Sequence, residues 1–410
     1  MQNKDKIAEK IYIIQPITRE NAAKYQVLRE EAIALIESAD AVYAGTLYQN
    51  IHEINPATFI GEGKLAELSA LLEGLGEITL LFNGELSPSQ LLNISSAVGN
   101  RKVIDRTTLI LDIFAKNAKS GEGKLQVELA QLKYLYPRLK GKGAELSRLG
   151  GGVGTRGPGE TKLETDRRYI RGRLNYLENK LKNLEKRRHL QLERRKKENI
   201  KTIALVGYTN VGKSTLLNLL AGAETYVHDG LFATLDPTAR NFTIHDVPFL
   251  LVDTVGFLQD LPHHLIEAFH STLESALHCD LAIIVCDGQG EYQMQLDTTL
   301  QTLQELNFNA PYIVAINKCE GQDDFSDFPL GSIPISAKEN KGIEGLKREI
   351  FKHFQQDFLF RRLQIPYSKT SEYAKIKKHI IERNVSYTDD GMEIDAVIPT
   401  SHADLFTSFV

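Results

Sequence analysis

The chemistry in this sequence sits where small, polar and charged residues end apolar runs. Gly207-Tyr208-Thr209-Asn210-Val211-Gly212-Lys213-Ser214-Thr215 follows the strand-like "KTIALV" and opens the helix-like "TLLNLLAG". This is the spacing of a phosphate-binding loop between a strand and a helix. Its glycines let the backbone wrap so that N–H groups face phosphate oxygens, and the helix N-terminus adds a favourable dipole. Lys213 would bridge the β- and γ-phosphates, and Ser214 would ligate Mg²⁺. Two look-alikes lack this context. "GVGTRG" at Gly152–Gly157 follows a polar stretch rather than a strand. "GEGKL", at Gly61 and again at Gly121, lacks the loop spacing and reads as turns.

Four further groups follow in the order a GTP-hydrolysing domain requires. "LFATLDPTAR" carries Phe232, Ala233, Thr234, Leu235 and Asp236, with Thr234 placed to close a switch loop over the γ-phosphate and to add a Mg²⁺ ligand. "FLLVDTVG" ends a strand with Asp253, Thr254, Val255 and Gly256. Asp253 would act on Mg²⁺ through one of its ligands or through a water, and the Gly256 N–H would meet the γ-phosphate. "APYIVAINKCE" supplies Asn317, Lys318, Cys319 and Glu320, and "IPISAK" supplies Ser336, Ala337 and Lys338 for reading the base. Each group closes a strand at its carboxyl end, where open α/β sheets bind ligands. Lys213, Thr234 and Gly256 are the expected catalytic set; Ser214, Thr234 and Asp253 are the expected metal set. Two positions stand out. Glu320 occupies the place usual for Asp, so guanine is expected with looser discrimination. Phe257 follows Gly256 where a water-orienting glutamine is common, and it can neither donate nor accept a hydrogen bond. Slow intrinsic hydrolysis is expected, completed by a group in trans. The alternative is a packing Phe257 with the water oriented from within the chain. Gln259 is two residues on.

The elements that position these groups can be read from periodicity. At 410 residues several domains are expected. Residues 1–115 alternate apolar runs ("KIYIIQP", "DAVYAG", "ITLLFNG", "KVIDR") with helical stretches, a small α/β domain on a parallel sheet. Residues 116–199 read as a helical hairpin. In its second helix Ile170, Leu174, Leu177, Leu181 and Leu184 recur at heptad spacing, and a glycine-rich stretch between Gly141 and Gly159 reads as a long flexible loop at the tip. A solvated linker helix is the alternative. Residues 200–354 return to strand–helix alternation around the phosphate loop. Residues 355–410 read as a small module of helix and strands.

Net charge is −4, yet Glu160–Glu198 holds fourteen Lys/Arg against seven Asp/Glu. This asymmetry suggests a local polyanion-binding surface. Arg148, Arg156, Lys162, Arg167, Arg168, Arg171 and Arg173 are the candidate RNA-binding residues, since arginine pairs with phosphate and stacks on bases. The three cysteines (Cys279, Cys286, Cys319) form no Cys-x-x-Cys pair, which favours a reducing compartment. Without an apolar leader or a membrane-length run, a cytosolic location is expected. The histidines of "LPHHLIEAFH" read as groups on an amphipathic helix rather than as a metal site.

These residues, with "TFIGEGKLAEL", "NGELSPSQ", "VIDRTTLILDIFA", "EGKLQVELAQL", "RLGGGVGTRGPGETKLETDRR" and "DTVGFLQDLPHHLIEAF", resemble the HflX family of ribosome-associated GTPases over most of the chain. The departures are Glu320 and the short C-terminal module. The resemblance implies an N-terminal HflX-type domain, a helical linker, a P-loop GTPase domain using GTP and Mg²⁺, and binding to rRNA of the large ribosomal subunit. It also implies rescue or splitting of stalled ribosomes and use of ATP by the N-terminal domain; a monomer is expected. Two other readings stay open on the residues alone: a signalling switch with a protein effector, and an ATP-driven RNA remodeller.

Overall fold

The computed structural model describes residues 8–148, 158–197, 199–222, 231, 232, 236–260, 262, 265, 277–322 and 324–409. Aliphatic runs form the strands of the N-terminal region: β1 (Lys10–Ile17), β2 (Val42–Asn50), β3 (Thr79–Phe82) and β4 (Val103–Asp105). They pair in the order β2-β1-β3-β4, and every pairing is parallel. Helices α1 (Tyr25–Ser38), α2 (Glu62–Leu72) and α3 (Pro88–Ala97) make the crossovers. An all-parallel sheet is covered on both faces, and β3, "TLLF", is accordingly buried at every position. Ile14, Leu68, Leu80 and Phe82 lie at the centre of the core.

Helix α4 (Arg106–Asn117) starts directly from β4. Asp105 caps it, accepting from the Thr108 N–H at 3.0 Å and from its hydroxyl at 2.7 Å. The same carboxylate is fully buried and also accepts from Tyr134 and Arg138 of α5 (Gly121–Arg148), fixing the first long helix to the sheet's edge. The two "GEGKL" stretches, expected as turns, instead begin helices. Gly61 is the N-cap of α2, and Gly121 is the first residue of α5. In each, the glutamate of the first turn complements the helix dipole.

The second long helix, α6 (Pro158–Lys197), runs antiparallel to α5. Arg173 clasps Glu128 through two bonds of 2.6 and 2.7 Å, and Lys133 lies 3.4 Å from Glu178. Leu177 is buried, and Ile170, Leu174, Leu181 and Leu184 are half-buried between exposed neighbours, so the heptad seam faces the partner helix. Part of the glycine-rich stretch expected as a long loop is helical, and residues 149–157 lie outside the described residues. Gly141 and Gly143 lie inside α5 and Gly159 inside α6. A helix interior glycine costs only about 1 kcal/mol relative to alanine, and the Lys, Ala, Glu and Leu around it favour continuation.

A six-stranded sheet follows, in the order β10-β9-β8-β5-β7-β6. Its strands are β5 (Lys201–Gly207), β6 (Thr238–Ile244), β7 (Val247–Asp253), β8 (Leu281–Asp287), β9 (Tyr312–Asn317) and β10 (Ile333–Pro334). Only β6 runs antiparallel to its neighbour. Helices α7 (Lys213–Ala221), α8 (Tyr292–Glu305) and α9 (Ile343–Phe354) flank it. The last residues form a three-stranded antiparallel sheet of β11 (Phe358–Pro366), β13 (Gly391–Pro399) and β12 (Ile381–Tyr387), with α10 (Thr370–Ile376) between β11 and β12. Leu363, Ile365, Ile394 and Phe406 form its own core. The Phe249–Phe358 ring contact and the ion pairs Arg383–Asp246 and Lys201–Asp357 join it to the six-stranded sheet.

Contacts divide the chain into two units. One comprises Met1–Glu185, His228–Asp236 and Leu258–Ser271; the other comprises Lys186–Val227, Pro237–Phe257 and Thr272–Val410.

Candidate nucleotide-binding site

Strand β5 is central because its residues, "TIALVG", are apolar enough to be buried on both faces. It ends in Gly207, whose φ is +145° and where a Cβ would lie 2.2 Å from the Val285 carbonyl oxygen of β8. Only glycine allows the backbone to turn off the sheet here. The loop 208–212 then turns back into α7, with Asn210 in the left-handed region at φ 59°. Lys213 opens the helix. Its ammonium donates to the Gly207 and Tyr208 carbonyls at 3.1 and 2.6 Å, so the loop is folded around its own lysine. Burial pushes the Lys213 ammonium down to about 8, opposed by the nearby Asp253 carboxylate.

Ser214 and Asp253 meet across the loop: the Ser214 hydroxyl donates to Asp253 Oδ2 at 2.6 Å. Both are hard oxygen donors, and Mg²⁺ is held by one or two such groups together with phosphates and water. The pair therefore fits the metal expected here. Among the described residues no cluster of three or more His, Cys, Asp and Glu could hold a metal alone. Thr254 is buried, its hydroxyl donating to the Leu205 carbonyl at 2.8 Å, which pins the end of β7 beside β5. Gly256 comes so close to the phosphate loop that a Cβ would stand 2.7 Å from Thr209 Cα and 2.9 Å from Lys213 Nζ.

Phe257 is a packing residue. Its ring is buried with Ala204, Val206, Ile284 and Cys286, and its backbone bridges the loop through Thr209 N–H to Phe257 O (2.9 Å) and Phe257 N–H to Gly207 O (3.0 Å). It cannot orient a water. Gln259 is buried in the first unit, where its side-chain oxygen accepts from Lys24 at 3.3 Å and its carbonyl from Arg106 at 3.2 Å.

At the ends of β9 and β10, Asn317 links the base-reading side to the phosphate loop. Its Nδ2 donates to the Val211 carbonyl at 2.8 Å, and its Oδ1 accepts from the Ala337 N–H at 2.9 Å. Lys318, at φ 63°, reaches Asp287 at 2.7 Å. Ser336 donates to Glu320 at 2.6 Å, and this bond holds the Glu320 carboxyl below its usual range. Cys319 is buried and Lys338 is exposed.

Three family models match consecutive stretches. Residues 27–115 match "GTP-binding GTPase N-terminal", 117–195 "GTP-binding GTPase Middle Region" and 202–318 "50S ribosome-binding GTPase". A protein of Caldanaerobacter subterraneus subsp. tengcongensis named GTPase HflX is 45% identical over 92% of this chain and 88% of its own length. The GTPase HflX of Escherichia coli is 38% identical over 82% of this chain and 81% of its own. The chain belongs to the HflX family of GTPases. A solved structure of a GTP-binding protein from Sulfolobus solfataricus in complex with GDP is 26% identical, spans 85% of this chain and 99% of its own, and has a TM-score of 0.45.

As an HflX-family GTPase the chain binds GTP and GDP and hydrolyses GTP to GDP and phosphate. Several expected residues fall elsewhere than beside the phosphate loop, or beyond description. Ala233, Thr234 and Leu235 lie outside the described residues, as do His263, His264 and Arg156. Asp236, expected at the nucleotide, accepts from the Lys119 and Ser120 N–H groups (2.9 and 2.7 Å), next to the start of α5. Phe232 is buried against Phe114, and its carbonyl accepts from Asn117 at 2.9 Å. Arg148 and Lys162 sit on α5 and α6; Arg167, Arg168, Arg171 and Arg173 follow on α6. Arg171 donates to the Tyr136 hydroxyl at 2.8 Å, and Arg173 is held by Glu128. Asp287 was not foreseen. It ends the apolar run "LAIIVC" at a strand's carboxyl end, the signal used for the other strands, and holds Lys318 in place.

Proposed function

We propose that this HflX-family GTPase is a factor of the large ribosomal subunit that docks in its GTP form, promotes splitting or rescue of stalled ribosomes, and leaves after hydrolysis. The observation that carries this reading is the match of residues 202–318 to a family described as 50S ribosome-binding GTPases. The hairpin supports it: α6 is dense in arginine and lysine, with Arg168 and Tyr169 exposed side by side. Arginine pairs with phosphate and an exposed aromatic ring accepts a stacked base, the combination that suits RNA.

In the proposed cycle the N–H groups of residues 208–214 cradle the phosphates, and Lys213 places its charge between the β- and γ-phosphates. Ser214, Asp253 and Thr234 are the residues that would hold Mg²⁺, which when bound neutralises charge developing on the phosphate oxygens. The Gly256 N–H meets the γ-phosphate, and Thr234 closes over it. Asn317 couples base and phosphate ends by holding the Val211 carbonyl while Glu320 accepts from the guanine ring N–H groups. With Phe257 packed in the core and Gln259 engaged in the first unit, the attacking water is oriented by a group that the ribosome supplies. Such help in trans is worth roughly 10³–10⁵ in rate.

Sucrose-gradient sedimentation of ribosomes with this protein tests the reading. Co-migration with large subunits in the presence of a non-hydrolysable GTP analogue, but not GDP, is expected. Single-turnover hydrolysis should quicken when large subunits are added. Equal sedimentation in both nucleotides together with equal rates would overturn it.

A further inference from the structure

Where α6 ends and the C-terminal module meets the six-stranded sheet, the second unit holds a cavity of about 570 Å³. Small-molecule sites have this size, and the junction of two domains is a common place for them. None of its lining residues belongs to the phosphate loop or the base-reading strands. Asn199, Lys378, His379 and His402 are its polar lining, and Phe358 and Ile380 are part of its apolar wall.

The charges are one-sided. Among the described residues that line the cavity there is no carboxylate. The acids of the surrounding elements are engaged elsewhere: Asp357 with Lys201 at 2.8 Å, Glu382 with Lys377 at 2.7 Å and Asp246 with Arg383 at 2.7 Å. Asp404, on the same 3-10 segment as His402, is exposed and outside the lining. The rings of His379 and His402 lie 4.5 Å apart between centroids, tilted by 44°. Asn199 Nδ2 donates to Nδ1 of His402 at 3.2 Å and to the Ser401 hydroxyl at 3.0 Å. Accepting at Nδ1, a neutral His402 carries its proton on Nε2 and keeps a donor. Burial lowers the His379 imidazole below its ordinary value, and repulsion from His402 and Lys378 adds to this. Three groups that carry or can carry positive charge thus share a cavity with no anion among the described residues of its wall. Such crowding is unfavourable in the free protein and is offset when an anion binds.

We propose that this cavity binds a nucleotide's phosphate on Lys378 and the two imidazoles, with the flat base against the apolar wall. A free nucleoside monophosphate and a nucleotide of single-stranded RNA present the same chemistry. The inference is independent of the ribosome reading.

The test uses the full chain saturated with GDP, so that the phosphate loop is filled. Cytidine monophosphate and a cytidine hexanucleotide are titrated while the imidazole resonances of His379 and His402 are followed by NMR. Both resonances should shift, and the His379 imidazole should become easier to protonate. Lys378→Glu should weaken binding by about tenfold or more, as loss and reversal of a charge-assisted contact does, whereas Lys375→Glu on the neighbouring exposed helix changes it by less than about twofold. His402→Gln, which keeps an acceptor for Asn199, is the second variant should Lys378→Glu fold poorly, and the same weakening is expected. Binding of the monophosphate identifies a free-nucleotide site; binding of the hexanucleotide alone identifies an RNA contact; either supports the proposal. Unshifted imidazole resonances with both probes at millimolar concentration would overturn it. So would equal weakening by Lys378→Glu and Lys375→Glu.

Discussion

Lys213 is the residue whose environment makes the sharpest prediction. Its ammonium is buried in the phosphate loop, where it donates to two carbonyls, and burial lowers it to about 8. A bound triphosphate requires the charged form, so affinity is fully present below pH 8 and lost as pH rises through it. Between pH 8 and 9 the association constant for a fluorescent GDP analogue should fall by about five- to tenfold, with close to one proton taken up per nucleotide at the upper end. The phosphates themselves are already ionised in that range and add no slope. A flat profile would mean that Lys213 is charged throughout. Glu320 makes a second prediction at this scale. Its carboxylate is oriented by Ser336 on a stem one methylene longer than aspartate's. If it reads guanine, Glu320→Gln should weaken GDP by about tenfold or more through loss of a charged hydrogen bond, while ADP is unaffected. Glu320→Asp should keep or tighten GDP. Equal GDP affinity in wild type and Glu320→Gln would remove Glu320 from base reading.

Among the elements, the junction of β4, α4 and α5 depends on one carboxylate. Asp105, itself out of contact with solvent, caps α4 and receives Tyr134 and the partly exposed Arg138 from α5. Asp105→Asn places an amide where an anion was and leaves Arg138 short of its counter-charge; about 3 kcal/mol of local stability should be lost. Hydrogen exchange along α4 and the adjoining half of α5 measures it, and unchanged protection there would count against the anchor. The sequence made the existence of these elements readable. Alternating apolar runs located all four strands of the first sheet, and the heptad seam located α6. It did not reveal Asp105's double role, because the partners at 134 and 138 are distant in sequence and nothing local distinguishes a cap from an anchor. The same limit explains the candidate site. Motif residues in the expected order, each at the end of an apolar run, announced Asp253, Asn317 and Ser336. The fate of Asp236 beside the start of α5 depends on tertiary packing, to which a one-dimensional pattern is blind. Glycine was misread one way throughout, as a helix breaker: Gly141 and Gly143 sit within α5, and the "GEGKL" glycines start helices instead of making turns.

For the molecule as a whole, the proposed grip on RNA can be divided between arginines that are available and those that already serve the hairpin. Composition ranks Arg167, Arg168, Arg171 and Arg173 alike. The structure separates them: Arg173 forms a two-bonded clasp with Glu128 of the opposite helix, whereas Arg168 is exposed on α6. Each phosphate neutralised by an arginine releases condensed counterions, so its removal reduces the salt slope of binding by somewhat less than about one. Arg168→Gln should therefore flatten the plot of log affinity against log salt for ribosomal RNA by about that amount. Arg173→Gln should leave the slope unchanged within error. It should instead loosen the hairpin slightly, as loss of an exposed ion pair does, seen as faster hydrogen exchange around Glu128. If both variants flatten the slope equally, the clasp opens on binding and Arg173 turns to phosphate. If neither does, the hairpin is not the surface that meets RNA, and its positive charge serves another purpose.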